Sequence, residues 1–408
     1  MRNSNTAEYN ILDEMNITEN RILLFQDETG ITVIFLNNGR ISEVWKEKES
    51  AVRVGDIYLG RISHYASNID AYYVEILKGV KCFLPASGLK LHEGAELLVQ
   101  IRKEAYKSKL ATASLSLEIP GRYSVISNDK AAIHYSKKLK NEDKERLHNY
   151  LEQEYHQSGR TYHVLLRTAA AECDDLSPVL DEIRKNERSL QQIVSASSHT
   201  YPLCKMYGSA SVLELLFTEG RVRKNTKIVS KDRILLERVN GLCWQYGIDP
   251  KDITVLYNEP ELPMSVLYGL KNRLHEITDE KIWLKSGGSL HITPTEAMVV
   301  IDVNTGKINT KGDREETFFK INSEAAKEIA FQIQARNLSG IILVDFINMK
   351  DDNNTTILIT DLKKKLAACL PPAMLMDITK LGIVEITREK KRADIYEIKN
   401  ELIKTILM

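Results

Sequence analysis

The first quarter of the chain alternates short apolar runs with turn signals. Turn pairs such as Lys78-Gly79 separate these runs, which are rich in β-branched and aromatic residues. The runs begin at Arg21, Ile31, Ile57, Ala71 and Leu97. Their length and spacing predict short strands, which together suggest a small β-barrel.

Apolar residues recur at helical spacing further along the chain. This periodicity predicts helices over residues 141–157, 178–193 and 315–336. A further amphipathic helix is predicted to bury Val266, Leu270, Leu274 and Ile277 on one face.

Two strongly apolar strands are predicted over residues 297–303 and 341–347, on either side of the long helix 315–336. That helix is predicted to bury Phe319, Ala326, Ile329 and Ile333. Two strands joined by a crossover helix form a βαβ unit, in which the strands run parallel.

Each of these strands reaches an aspartate near its end, Asp302 in one and Asp345 in the other. Parallel strands place their carboxyl ends at one edge of the sheet, and Asn304 shares the strand face of Asp302. Two carboxylates without His or Cys suit Mg²⁺ and metal-assisted phosphodiester chemistry. The alternative is that one or both aspartates cap the helix or turn that follows. Lys307 is a further candidate phosphate contact.

Charge and composition limit the kinds of binding partner that the protein can have. The 408 residues carry 56 Lys and Arg against 56 Asp and Glu. A neutral total argues against a protein that coats polyanions non-specifically, but it leaves room for a local basic groove. Basic residues gather in two places, and for the first of them the alternative is a solvated face. They are Arg102, Lys103, Lys107 and Lys109, and then Lys380, Arg388, Lys390, Lys391 and Arg392.

The five cysteines are scattered and form no CxxC pair, which is typical of reduced thiols and not of a zinc ribbon. No apolar stretch approaches the length needed to span a bilayer, and the first 20 residues do not resemble a signal peptide. We therefore expect a cytoplasmic protein without a membrane segment.

The run from Pro294 to Lys307, PTEAMVVIDVNTGK, resembles the signature of the ribonuclease E/G family, and so do the residues around the long helix and the second strand. The resemblance implies an endoribonuclease that hydrolyses single-stranded RNA, with A/U-rich sequences as the expected substrate, to 5′-phosphate and 3′-hydroxyl ends. It implies that Asp302 and Asp345 hold a catalytic Mg²⁺, with Mn²⁺ as the alternative ion, and that Asn304 assists at the scissile phosphate.

The same resemblance implies an RNA-binding barrel of the S1 type. Tyr73 and Phe83 match its RNA-stacking aromatic residues, and Lys109 matches a basic RNA contact. Bases stack on aromatic rings with little regard for sequence. The alternative is that Tyr73 and Phe83 belong to the barrel core.

After the barrel, the segments IPGRYSV and LLRTA resemble the family's sensor of the RNA 5′ end. The resemblance implies that Arg167 and Thr168 bind a terminal monophosphate, with the backbone at Val125 and the side chain of Lys137 as further contacts. RNA with a 5′-monophosphate is therefore expected to be cleaved preferentially. A guanidinium fork with a hydroxyl suits a phosphate dianion. The alternative for Arg167 is a surface salt bridge.

The family resemblance implies an α+β multidomain fold in five segments. An RNase H-like subdomain is formed by residues 20–50 and 212–276. An S1 (OB-type) barrel, residues 51–118, and the 5′ sensor, residues 119–211, are inserted within it. A DNase I-like α/β catalytic subdomain occupies residues 277–400.

The chain departs from the family pattern after Arg388, where the CPxCxG zinc-link is missing. No structural zinc is therefore expected, a zinc-linked assembly is doubtful, and a homodimer through another surface stays open. Two other functions also stay open, an RNA-binding protein with weak or no catalysis and a metal phosphodiesterase acting on DNA or small nucleotides.

Overall fold

A computed structural model describes residues 20–48, 52–105, 109–155, 162–223, 225–306 and 314–407. The strands of these residues, in chain order, are β1 (Arg21–Asp27), β2 (Gly30–Asn37), β3 (Arg40–Lys48), β4 (Ile57–Ala66), β5 (Ala71–Leu77), β6 (Val80–Pro85), β7 (Glu96–Lys103), β8 (Ala111–Ser114), β9 (Glu118–Pro120), β10 (Ser124–Ser127), β11 (Ala132–Tyr135), β12 (His163–Leu166), β13 (Cys204–Tyr207), β14 (Lys227–Ser230), β15 (Thr254–Leu256), β16 (Lys281–Trp283), β17 (Ser289–Pro294), β18 (Met298–Asn304), β19 (Gly340–Asp345), β20 (Ala373–Ile378) and β21 (Val384–Arg388).

The helices of the described residues are α1 (Asn141–Glu154), α2 (Ser177–Ser197), α3 (Val212–Thr218), α4 (Arg233–Gln245), α5 (Met264–Leu267), α6 (Leu270–Thr278), α7 (Arg314–Ala335), α8 (Asp352–Ala367) and α9 (Ile395–Leu407). Two short 3₁₀ turns span Thr168–Glu172 and Pro250–Asp252. No helix among the described residues has both the length and the apolar character needed to cross a bilayer.

The described chain forms two compact units. The first consists of residues 20–48 together with residues 225–407, and the second consists of residues 52–223. The second unit is inserted in the chain of the first. Helices and strands occur in both, so the α+β class is confirmed. The division into five named segments stays a prediction.

A closed five-stranded barrel occupies the start of the inserted unit. Its strands follow the order β4-β5-β6-β8-β7, and β7 pairs again with β4, while β13 joins β4 from outside. A register shift between Ile62 and His64 marks an irregularity in β4. The predicted barrel is therefore confirmed and is consistent with an OB-type domain, but the runs beginning at Arg21 and Ile31 are not part of it. They form β1 and β2, which belong to a separate sheet.

The rest of the inserted unit contains the sheet β11-β12-β10-β9. Strand β10 runs antiparallel to both β12 and β9, and β11 runs parallel to β12. Helices α1 and α2 bury Leu147, Leu151, Ile183 and Leu190 in one core with the strand residues Ile126, Val164 and Leu166.

The other unit contains two sheets. The first has the order β15-β14-β1-β2-β3, in which β1, β2 and β3 are antiparallel and β14 and β15 run parallel to β1. The second has the order β16-β17-β18-β19-β21-β20. The RNase H-like and DNase I-like labels for these parts stay predictions.

In the second sheet, β18 and β19 run parallel and α7 lies between them in sequence. The predicted βαβ unit is therefore present. Helix α7 buries Ile321, Ala326, Ile329 and Ile333 in one core with Ile301 and Val303 of β18 and Ile342 and Val344 of β19. Phe319, predicted to be buried, is only half-buried because it precedes the part of α7 that packs on the sheet.

Two other sequence-based expectations are wrong. The single helix predicted around Val266 and Leu274 is two helices, because Gly269 adopts the left-handed conformation at φ 55° and separates α5 from α6. Val266 is consequently 61% exposed. Arg388, counted in the second basic group, is buried and donates to the carbonyl oxygens of Pro371, Leu338 and Leu370.

The barrel is tied to β13 by the buried carboxylate of Asp56. It accepts hydrogen bonds from Lys205 Nζ at 2.7 Å, Ser209 N at 2.7 Å and Arg53 N at 3.0 Å. Burial opposes ionisation, but the hydrogen bonds from Lys205, Ser209 and Arg53 outweigh it and hold the pKa of Asp56 below its ordinary value.

We expect Asp56→Asn to lower the free energy of unfolding at neutral pH by about 2 kcal/mol, because Lys205 loses its charged partner. A lowered carboxyl pKa adds stability above the unfolded-state value of about 3.9, and this stability is lost as pH falls through the folded-state pKa. Urea denaturation at pH 7 and at pH values stepped down from 4 should therefore show a difference between variant and parent that is large at neutral pH and shrinks as the pH falls. The exposed Asp70, changed to Asn, is the control and should leave the midpoint nearly unchanged. An Asp56 difference that stays constant across this range would contradict the account.

Candidate functional site

Asp302 and Asp345 are direct neighbours across the parallel pair β18–β19. The Cα atoms of such partners lie about 4.8 Å apart. Ile301, Val303 and Val344, which alternate with the aspartates, are buried on the helix side of the sheet. Both carboxylates therefore project from the opposite face, where Asp302 is half-buried and Asp345 is exposed.

Asn304 follows on the same face of β18. Its Nδ2 donates to Asp302 Oδ2 at 2.6 Å. Within the described ranges, no other hydrogen bond reaches either carboxylate. The N-cap of α8 is Asp351, so Asp345 does not cap the helix that follows it.

The donor set at this end of the sheet consists of two carboxylates and one carboxamide. Over the ranges that the structure covers, no three His, Cys, Asp or Glu side chains are grouped closely enough to hold a metal. This set does not suit a closed structural zinc site, which needs four protein ligands. It fits Mg²⁺, which proteins commonly bind through one or two carboxylates while water and substrate phosphate supply the remaining ligands.

Helix α7 fixes the segment that follows Asp345. Asn322 is buried and pairs with the backbone of Ile347 through both of its amide atoms, at 2.8 Å and 3.1 Å. Glu315 accepts hydrogen bonds from the backbone N–H groups of Lys350 and Asp351. Hydrophobic periodicity did not identify Asn322, because a polar residue on the apolar face of a helix looks like an interruption of the pattern.

A glycine-rich turn supports the end of β18. Gly306 has φ 64°, and a Cβ there would lie 2.5 Å from the carbonyl oxygen of Gly287. Only glycine permits this close approach. Burial would raise the pKa of Glu324, but hydrogen bonds from Ser286 and Lys285 outweigh it and lower that pKa. The turn is thus fixed next to Asn304, while Lys307 lies outside the described residues.

The barrel carries an aromatic strip, which consists of His64, Tyr73 and Phe83. These residues are cross-strand neighbours on β4, β5 and β6. The rings of Tyr73 and Phe83 lie 4.7 Å apart, and His64 stacks on Tyr73 at 4.4 Å.

Tyr73 and Phe83 are half-buried, and His64 is exposed. They alternate with fully buried residues such as Val74 and Cys82, so the strip lies outside the barrel core. The alternative of a core role for Tyr73 and Phe83 is therefore wrong. His64 was missed because its place in the strip depends on the irregular register of β4.

The basic residues near this barrel differ in their environments. Lys109 is exposed. Arg102 pairs with the carboxylate of Glu118 at 2.8 Å and with the Ser116 carbonyl at 2.7 Å, so it supports the fold. Lys107 lies outside the described residues.

Of the predicted sensor residues, Val125 lies in the sheet β11-β12-β10-β9, and the others follow strands of that sheet. Arg167 follows β12 and donates from Nη1 to the carbonyl oxygens of Gly121 at 2.6 Å and Thr218 at 3.4 Å. Thr168 is exposed at the start of the 3₁₀ turn. Val125 pairs with Leu165 on β12, and the exposed Lys137 comes two residues after the end of β11. The hydrogen bonds of Arg167 reach carbonyl groups, so the salt-bridge alternative finds no support among the described residues.

The loop before β10 is held by Glu182 of α2. Its carboxylate accepts from the N–H groups of Arg122, Tyr123 and Ser124 at 2.8–2.9 Å. A Cβ at Gly121 would lie 2.2 Å from Glu182 Oε1, so a larger residue there would displace this carboxylate from its hydrogen bonds. This positions the Gly121 carbonyl that Arg167 uses. Glu182 was not identified from the sequence, because its helix lies about 60 residues from the loop.

Comparison with known proteins identifies the family of this chain. Residues 118–391 match the model of the ribonuclease E/G family. The chain is 27% identical to "Ribonuclease G" of Haemophilus influenzae, and the alignment covers 94% of this chain and 80% of that protein. It is 25% identical to "Ribonuclease G" of Escherichia coli K12, covering 90% and 79%.

It is also 26% identical to "Ribonuclease E" of Nostoc sp. PCC 7120, with 85% of this chain aligned to 52% of the longer relative. The family match spans well over half of the sequence and includes Asp302, Asn304, Asp345 and Arg167. The chain therefore belongs to the ribonuclease E/G family of endoribonucleases.

Proposed function

We propose that this chain is a metal-dependent hydrolase that cleaves single-stranded, A/U-rich RNA internally and leaves 5′-phosphate and 3′-hydroxyl ends, in RNA processing or decay. The observation that carries the proposal is the direct pairing of Asp302 with Asp345 at the carboxyl ends of parallel strands. Neighbouring carboxylates repel each other, and an arrangement of this kind is stabilised by a cation.

Asp302 and Asp345 are the residues that would hold Mg²⁺ or, as an alternative, Mn²⁺. When bound, such an ion stabilises the negative charge that develops on a phosphodiester during hydrolysis and favours ionisation of water. The chain contributes the fixed spacing of the two carboxylates, which the buried core beneath β18 and β19 maintains.

Asn304 has two roles in the proposal. Its Nδ2 group donates to Asp302, which restricts the rotation of that carboxylate and leaves its other oxygen available. The exposed side chain of Asn304 is also available to the scissile phosphate, because an amide N–H is a suitable donor to a phosphate oxygen.

Tyr73 and Phe83 are proposed to stack on unpaired bases, with Lys109 meeting the backbone phosphates. Stacking of this type requires free base faces, which explains the proposed preference for single strands. A/U-rich RNA pairs weakly and keeps such faces free. His64 extends the same aromatic strip.

Arg167 and Thr168 are proposed to bind a 5′-terminal monophosphate, with the Val125 backbone and Lys137 beside them. The hydrogen bonds of Arg167 to Gly121 and Thr218 use Nη1, and a guanidinium has further N–H groups that suit phosphate oxygens. Glu182 fixes the loop against which Arg167 is oriented.

Single-stranded RNA is the proposed partner, and a cytoplasmic location the proposed setting. Without a CPxCxG motif, zinc-linked assembly is not part of the proposal. A homodimer would need another surface.

Either Asp302→Asn or Asp345→Asn should lower kcat for RNA cleavage by at least about 100-fold and weaken binding of Mn²⁺, because each change removes a charged ligand. Cleavage of an end-labelled RNA and metal titration followed by electron paramagnetic resonance measure the two effects. The matched control is Asp377→Asn, an exposed carboxylate on β20 of the same sheet, which should leave kcat and Mn²⁺ binding unchanged.

Two outcomes would favour the alternative functions. If wild-type protein bound the metal but left the RNA uncleaved, an RNA-binding protein without catalysis would be favoured. Preferential cleavage of DNA would favour the phosphodiesterase.

Arg167→Ala should reduce the ratio of cleavage rates for 5′-phosphate and 5′-hydroxyl RNA to about one, because the terminal phosphate loses its charged hydrogen bonds. Arg188→Ala, an exposed arginine on α2, is the control and should keep the ratio of the parent. If Arg167→Ala discriminated between the two ends as well as the parent does, the sensor assignment would be incorrect.

A further inference from the structure

An exposed tryptophan stands at the edge of the sheet that carries Asp302 and Asp345. Strand β16 is the edge strand, and Trp283 at its end is 66% exposed. The Lys281 ammonium lies 4.0 Å from the centroid of the Trp283 ring. Proteins that bind single-stranded nucleic acids combine aromatic rings, on which bases stack, with basic side chains that contact phosphates.

Strand register places this pair in line with the candidate active site. Lys281 is opposite His291, which is opposite Asp302. Trp283 is opposite Ser289, which is opposite Asn304. Directly opposed residues share a sheet face, so both side chains lie on the face of the carboxylates, two strand spacings or about 10 Å away.

The ring is supported at a fixed position. A Cβ built on Gly306 would lie 4.0 Å from the Trp283 ring, so the ring lies close to the turn that follows Asn304. The turn after Trp283 is closed by a 2.8 Å hydrogen bond from Leu284 N to the Gly288 carbonyl, and Glu324 holds the N–H of Lys285 at 2.7 Å. A supported but exposed ring loses little conformational freedom when a base stacks on it.

We propose that Trp283 and Lys281 form a nucleotide-binding subsite for the RNA beside the scissile phosphate. Trp283 stacks on a flanking base, and Lys281 contacts a phosphate of the same strand. This inference rests on the proposed function, since it assumes that RNA crosses the sheet face at Asp302 and Asn304. A role in stacking accounts for the exposure of Trp283 in register with Asn304 of the candidate active site.

The chain provides its own control. Of its three tryptophans, Trp45 is buried, whereas Trp244 on α4 is 65% exposed and lies outside this sheet. Trp244→Ala therefore removes an equally exposed ring from a place without a proposed role. Trp283→Phe keeps a stacking surface, which tests stacking separately from the presence of tryptophan.

Binding is measured in the Asp302→Asn background, so that a 5′-monophosphorylated single-stranded oligoribonucleotide stays intact. We expect the oligonucleotide to quench tryptophan fluorescence in this parent and with Trp244→Ala added, and the quench to be lost with Trp283→Ala. Affinity, measured by fluorescence anisotropy of a labelled oligonucleotide, should fall about 5- to 100-fold with Trp283→Ala and largely return with Trp283→Phe. Lys281→Ala should reduce the salt dependence of binding by about one phosphate contact.

Substrates with one abasic position locate the stacked base in cleavage assays. Wild-type protein should lose rate when one nucleotide near the scissile bond is abasic, and Trp283→Ala should be insensitive at that position. If wild-type protein cleaves RNA and Trp283→Ala behaves like Trp244→Ala in quench, affinity and abasic sensitivity, the subsite is overturned while the nuclease stands. If the quench depends on Trp283 but wild-type protein does not cleave RNA, the proposed nuclease activity is overturned and the nucleotide-binding subsite stands.

Discussion

The parallel pairing of β18 with β19, in which Asp302 faces Asp345, is the constraint on which the candidate active site depends. Ile301, Val303, Ile342 and Val344 are buried against α7 and α8, and each contributes about 1.5–3 kcal/mol on burial. Repulsion between two surface carboxylates costs about 1 kcal/mol at 4 Å in a water-like medium, so packing of the core outweighs it. A shift by one residue would turn these apolar side chains to water, and the register is therefore strongly specified.

Buried polar side chains then connect this sheet to the surrounding segments. Arg336 reaches the Asp279 carbonyl before β16 and the Tyr396 hydroxyl of α9, while Arg388 holds the segments after α7 and α8. Asn322 secures the segment after Asp345. Such groups are costly to bury without partners, so they allow few arrangements of the backbone other than the observed one. Asp302, Asn304 and Trp283 lie on the face of the sheet opposite α7.

Hydrophobic periodicity was sufficient to predict the barrel, the long helix α7 and the parallel strands that flank it, because burial on one face dominates their energetics. It failed where one residue changes the backbone, as at Gly269, or where a charged residue is buried, as at Arg388. The contributions of His64 and Glu182 depend on strand register and on contacts between distant segments, which a single sequence does not display. The side-by-side placement of Asp302 and Asp345 followed from the βαβ pattern alone.

The central claim is that Asp302 and Asp345 act as one unit, and a double-mutant cycle tests it most directly. RNA cleavage rates would be measured for Asp302→Asn, Asp345→Asn and the double variant under saturating Mg²⁺. Residues that serve one site are strongly non-additive, so the account predicts that the double variant is no slower than the slower single variant. Losses that multiply, as expected for independent residues, would contradict it.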